Sequence, residues 1–345
     1  MTVPVATEAA SGARRRQVPN VANAGLWIFL FVLIALFGAT TQGFFTPNNA
    51  LNVIRQMSIL AIAAFGSSFI IFSGGLDLSI GSNAALSGVI AAMVARDTVA
   101  FLPVELSWIV GVFVGAGVGL INGLIIVKFR ISPIITTLGT LTIARGFALL
   151  LTGGVSLFGV PNSFQGLGRG FIIPGVLANP VAIMIILLIA GWLVLKRTSF
   201  GLYVYSIGGN EEAARLSGVP VNRVKLMVYL IGGATAGLAG VVLASRLGSG
   251  QAAGSQGLEL DVITAIVLGG ASIAGGSGSM IGTFVGVLIL SILENGMTLA
   301  NIDPFYQQIV KGAALLLAVG LEEYRKRRQQ RRTVTQIIPV SKETS

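Results

Sequence analysis

Five ionisable side chains sit in stretches that are otherwise apolar: Asp77, Arg145, Asp261, Glu294 and Lys311. A charge inside a membrane span is costly, so each is a candidate for a solute or ion path. Lys311 in YQQIVKGAALLLAV, Asp261 in LELDVITAIVLGG and Glu294 near the end of its span fall toward the same side of the membrane. Lys311 is therefore placed to pair with either acid. Two readings stand: a structural ion pair that fixes helix register, or groups that line a pathway. Asp77 in SGGLDLSIGS and Arg145 carry the same two readings. Side chains for covalent or metal chemistry are missing. The chain has no cysteine and no histidine, which removes disulfides, thiolate or imidazole metal sites, and Ser-His or Cys-His nucleophiles. GGSGSMIG lacks the lysine and Ser/Thr of a P-loop and the spaced glycines of a dinucleotide fold. The expectation is a protein that is not an enzyme, with no catalytic residue and no metal; if it drives transport, the energy comes from outside this chain or from an ion gradient.

A second constellation lies in the polar stretch Ser199–Lys225, SFGLYVYSIGGNEEAARLSGVPVNRVK. The pattern predicts a short helix with both ends marked. Asn210 is a good N-cap, Glu211 and Glu212 suit the positive end of the helix dipole, and Gly218 with Pro220 stops it. Glu211 and Arg215 are four apart and can pair across one turn. A helix of about seven residues does not hold itself together in water, so it must lean on something. It is either a surface for a soluble partner or a loop helix packed on its own protein.

The elements that position these residues follow from composition. Of 345 residues, 54% are apolar and only 10% charged, too little charge for the surface of a soluble domain of this size. The predicted class is an all-α, polytopic membrane protein. Spans need roughly 20 apolar residues, and ten are predicted: 25–44, 50–73, 79–96, 105–127, 132–152, 180–196, 223–246, 258–274, 278–297 and 304–321. The net charge of +10 does not call for nucleic acid, because most of the 23 basic residues lie in alternate loops and in the tails. That bias places both termini in the cytoplasm. Residues 1–24, with Arg14–Arg16, read as a disordered tail, 25–322 as the transmembrane domain containing the 199–222 segment, and 323–345 as a basic tail drawn to anionic lipid.

Two breaks differ from ordinary loops. Ser73–Ser82 and Leu268–Ser279 are rich in glycine and small polar residues, and each reads as a tight turn or as a discontinuous helix at membrane depth. Glycines at intervals of four (Gly111, Gly115, Gly119 and Gly123; Gly232 and Gly240 with Ala236; Gly278, Gly282 and Gly286) mark faces where helices approach closely. The Gly/Pro-rich stretch between Gly153 and Pro180 reads as an outer segment lying on or in the membrane surface.

At this point the motifs carry a resemblance. GNEEAARLSGV resembles the coupling-helix segment of ATP-binding cassette importer permeases, and more narrowly of the ribose-type monosaccharide permeases. SGGLDLSIGS, LELDVITAIVLGG, GGSGSMIGT, YQQIVKGAALLLAV and GFFTPNN are similar to segments of that family, in order, across residues 43–322. The resemblance implies a permease of about ten spans in the bacterial inner membrane, which pairs with a second copy or a close paralogue. Cytoplasmic ATPase subunits would bind the ATP, and an extracytoplasmic sugar-binding protein would deliver a pentose, hexose or polyol. Carried over residue by residue, Gly209, Asn210, Glu211, Glu212, Ala213, Ala214, Arg215 and Gly218 would form the ATPase-coupling segment. Nothing matches a motif that names the sugar. The competing expectation is an ion-gradient-driven secondary transporter that uses the intramembrane charges.

Overall fold

The structure, a computed structural model, describes residues 21–98 and 103–337. Arg14–Arg16 and Lys342 lie outside the described residues. Among the described residues thirteen α-helices follow in chain order: α1 Val21–Thr40, α2 Pro47–Phe72, α3 Ile80–Thr98, α4 Glu105–Phe129, α5 Pro133–Thr152, α6 Gly166–Arg169, α7 Asn179–Arg197, α8 Ser199–Gly209, α9 Glu211–Leu216, α10 Val221–Leu247, α11 Leu258–Leu268, α12 Met280–Leu299 and α13 Pro304–Ile337. Between α6 and α7 lies a small antiparallel hairpin, β1 Phe171–Ile173 and β2 Leu177–Ala178, turning at Gly175 with φ +73. The expectation of an all-helical chain therefore holds except in this segment, where Pro174 and Gly175 favour a reverse turn over a helix.

Among the described residues, six helices are long and apolar enough to cross a membrane: α2, α4, α5, α7, α10 and α12. The chain is a multi-pass membrane protein, but the ten predicted spans are not ten such helices. The predicted span 258–274 is corrected. The helix there, α11, ends at Leu268 after 11 residues, about 16 Å at 1.5 Å per residue, well short of a 30 Å hydrocarbon core. Its continuation fails because Gly269, Gly270, Gly275 and Gly276 leave no side chains to sustain a helix, and three of them have positive φ. The 79–96 segment is helical as α3, but carries Ser82, Asn83 and Ser87 in the protein interior instead of facing lipid.

The hub is α10, which packs on α4, α2 and α3. The glycine faces do this packing. Gly111, Gly115, Gly119 and Gly123 are all buried in α4. A Cβ on Gly119 would lie 2.9 Å from Gly233 Cα, and one on Gly237 would lie 2.8 Å from Gly115 Cα. The α4 stripe thus meets Gly233 and Gly237, two positions outside the predicted α10 stripe. Gly232 instead faces Ile70 of α2, and Gly240 faces Ala84 of α3. Asn83 of α3 crosses this seam, its amide donating to the carbonyls of Gly115 and Gly233 at 3.2 Å each. At the far end of α10, Ser245 Oγ donates to Phe164 O at 2.6 Å and accepts from Gly168 N at 2.7 Å, which seats α6 on the helix terminus.

Candidate functional site

Asn210 takes an extended conformation, and its Oδ1 accepts from Ala213 N at 2.9 Å, capping α9 as its side-chain chemistry dictates. At the other end Gly218 (φ +83) reverses the chain, with Gly218 N donating to Arg215 O and Val219 N to Ala214 O, each at 3.0 Å. The six-residue helix leans on the protein through Ala214, which is buried, while Glu212, Ala213, Arg215 and Leu216 face outward. Leu216 is 81% exposed, an apolar side chain standing clear of the protein. Glu211 ties the helix down. Its carboxylate accepts from Arg215 Nη2 at 3.1 Å and from Lys225 Nζ, in the first turns of α10, at 2.6 Å. Burial pushes the Glu211 carboxyl up, but the hydrogen bonds and charges of Lys225 and then Arg215 outweigh it and hold the group below its ordinary value.

What α9 stands on was not legible as a site. The two glycine-rich breaks meet each other and the end of α8 directly beneath it. Gly276 N donates to Phe72 O at 2.9 Å. A Cβ on Gly275 would lie 2.6 Å from Gly74 N and 2.9 Å from Gly208 Cα, and one on Gly276 would lie 2.9 Å from Gly209 Cα. Three backbone segments thus touch without intervening side chains, which only glycine allows. Tyr205 of α8 clasps the junction, stacked on Phe72 at 5.6 Å between ring centroids and donating from Oη to Gly278 O at 3.0 Å. Beside it lies a cavity of about 190 Å³ lined by Ser73, Gly75, Gly208, Glu211, Lys225 and Tyr229 among others. The sequence signal for this junction is glycine doublets at 74–75, 208–209 and 275–276, but nothing in their spacing says that they converge.

The structure brings three of the five intramembrane charges together. Lys311 Nζ of α13 lies 3.0 Å from Asp261 Oδ2 of α11 and 3.3 Å from Glu294 Oε2 of α12. Arg145 lies elsewhere, in α5, where it donates to Ala252 O and faces the charge of Glu259. Asp77 is buried in the first break, 3% exposed. At the end of the bundle away from α9, Arg169 Nε donates to Arg246 O at 2.7 Å, and the Arg55 guanidinium stacks over Phe171 at 4.4 Å. None of these three arginines has an ion-pair partner among the described residues. No group of residues that could hold a metal occurs among the described residues.

A short capped helix, a glycine-packed bundle and apolar spans together make up a multi-pass membrane protein. Residues 49–319 match the family model described as branched-chain amino acid transport system / permease component, and the chain belongs to that family. It is 42% identical over 300 residues to the ribose import permease protein RbsC of Bacillus subtilis, covering 86% of this chain and 92% of that protein. It is 40% identical over 306 residues to RbsC of Escherichia coli K12, covering 85% and 91%. To the L-arabinose ABC transporter permease protein AraH of Azospirillum brasilense it is 36% identical over 331 residues, 96% of each chain. No solved structure matches the chain.

Proposed function

We propose that the chain is the membrane permease subunit of an ATP-binding cassette importer that moves a monosaccharide into the cytoplasm of a bacterium, alternating access as separate ATPase subunits bind and hydrolyse ATP. The observation that carries the reading is the placement of α9. It is a capped, outward-facing helix pinned by Glu211 to α10 and seated on the junction of both breaks. A partner that pushes on Glu212, Arg215 and Leu216 loads α8, α10 and, through the Gly208–Gly275–Gly74 contact, the ends of α2 and α12. Gly209, Asn210, Ala213, Ala214 and Gly218 shape that element. The similarity to ribose and arabinose permeases over most of the chain supports a pentose-like substrate. In this orientation both termini are cytoplasmic, and Arg55, Arg169 and Arg246 lie on the outer face, where their positive charge suits an acidic surface on the sugar-binding protein. A second permease copy completes the pathway.

The test is reconstitution in liposomes with candidate ATPase and binding protein, screened with pentoses, hexoses and polyols. The expected result is ATP hydrolysis and solute accumulation that both depend on one sugar-loaded binding protein. Uptake that persists without an ATPase and collapses with the proton or sodium gradient would replace this reading with a secondary transporter built on Asp261, Glu294 and Lys311.

A further inference from the structure

The first break contains a buried carboxyl group with no countercharge. Asp77 is 3% exposed, and Ser79, two residues on, and Asn122 of α4 are both fully buried. Asp77 Oδ1 accepts from Ser79 N at 2.8 Å and from Ser79 Oγ at 2.6 Å. Ser79 Oγ in turn accepts from Asn122 Nδ2 at 3.0 Å. The chain of donation runs one way, from Asn122 through Ser79 to Asp77, and it leaves two things unanswered. No lysine or arginine pairs with Asp77 among the described residues. Asn122 Oδ1 is buried with no donor. The titratable group that faces Asp77 from α10 is Tyr229, whose Oη donates to Leu76 O at 3.1 Å and so adds no positive charge. Lys225, across the neighbouring cavity, is committed to Glu211.

An ionised carboxylate buried this way loses most of its hydration and has no cationic partner among the described residues, an arrangement proteins avoid by neutralising the group or pairing it. The cluster is also one donor short. A proton on Asp77 removes the charge and needs no room. A bound sodium or potassium ion would answer the charge, but needs space and several oxygens, and the cavity beside the break reaches Gly75 and Tyr229 without being lined by Asp77, Ser79 or Asn122.

We propose that Asp77 is a proton-binding site: with the break closed as here, the side chain is the neutral carboxylic acid. Conformations that admit water to the break let the acid ionise and release its proton to that water. Proton occupancy is thereby linked to the closed and hydrated forms of the α2–α3 connection, and alkaline conditions favour the hydrated one. The proposal stands apart from the importer reading, since it holds however transport is energised.

The chain has four aspartates, Asp77, Asp97, Asp261 and Asp303, so the test is direct. The full chain is labelled with 13C at the aspartate side-chain carboxyl, reconstituted in lipid vesicles and observed by infrared or solid-state NMR at pH 7. The expected result is one neutral carboxylic acid signal, absent from Asp77→Asn. Should Asp77→Asn fail to fold, the neutral signal must survive Asp97→Asn, Asp261→Asn and Asp303→Asn in turn. Four ionised aspartates, or a neutral signal that belongs to another position, would overturn the proposal. So would an Asp77 signal that moves when sodium and potassium are exchanged for choline, which would make the cluster a cation site.

Discussion

Two ionic clusters in this molecule are near mirror images. At α9 one carboxylate, Glu211, lies between two cations, Arg215 and Lys225. At the far side of the bundle one ammonium, Lys311, lies between two carboxylates, Asp261 and Glu294. The first is local: its members are within 14 residues of each other, and Glu211 is 42% exposed. The second joins three helices across 50 residues, and Lys311 is 22% exposed. Water reaches the more exposed Glu211 more readily than it reaches Lys311. The α9 cluster therefore sets the orientation of a movable surface element at little cost, and the α13 cluster binds a helix into the fold.

The largest expected effect comes from removing the centre of the second cluster. Lys311→Met leaves Asp261 and Glu294 facing each other without a cation. Thermal unfolding in detergent should show a loss of about 2–3 kcal/mol, below the 3–5 kcal/mol of a fully buried pair because these side chains are partly wet. The triple change Lys311→Met, Asp261→Asn, Glu294→Gln removes all charge and should recover most of it. A single variant as stable as the parent would mean that the cluster does not hold α13, and that its charges are free to serve a pathway.

The matching change at α9 should separate stability from function. Glu211→Lys sets three cations together at the N-terminus of a helix, whose dipole also opposes them. The spans should unfold within about 1 kcal/mol of the parent, as surface charge changes do. Association with the ATPase subunit should weaken about tenfold, which corresponds to 1.4 kcal/mol. Co-purification and titration of the two subunits read this out. Unaltered association would remove α9 from the coupling role.

These contrasts also mark what the sequence made legible. The capped helix was readable because its signals are local: Asn210, Glu211, Arg215 and Gly218 act within one or two turns. Lys311 could be matched to Asp261 and Glu294 because few charges compete within apolar stretches. The partner faces of α10 were harder. Gly232, Ala236 and Gly240 repeat at the helical interval, but Gly233 and Gly237, one residue on, are what α4 touches. A helix buried on every side has no single face for periodicity to find. The span at 258–274 was misjudged for a related reason. Hydropathy registers the apolar run through Ile273, but not the glycines that end α11 at Leu268. The junction beneath α9 depends on contacts between residues about 70 and about 200 positions apart, and composition carries no trace of such contacts.

The smallest effect tests the claim that the α9 cluster is exposed enough to be tuned by solvent. Glu211 is held below its ordinary value of 4.5 because Lys225 and Arg215 outweigh the opposing effect of burial. A carboxyl lowered on folding contributes stability above its unfolded value and loses it as pH falls through the folded one. The window for Glu211 therefore lies below 4.5. Acidification through that window should loosen α9 by about 0.5 kcal/mol, the scale of a solvent-exposed pair. Amide exchange at Ala213 and Ala214, corrected for the intrinsic pH dependence of exchange, should then rise about twofold, since 1.4 kcal/mol is a factor of ten. Glu211→Gln should remove that rise, and 1 M salt, with a Debye length of about 3 Å, should reproduce much of it at neutral pH. The Lys311 cluster, whose three side chains are each less exposed than Glu211, should respond to neither treatment on the same scale. Equal sensitivity at both clusters would mean that water reaches α13 as freely as it reaches α9, and the distinction between a tunable surface latch and a fixed interior tie would collapse.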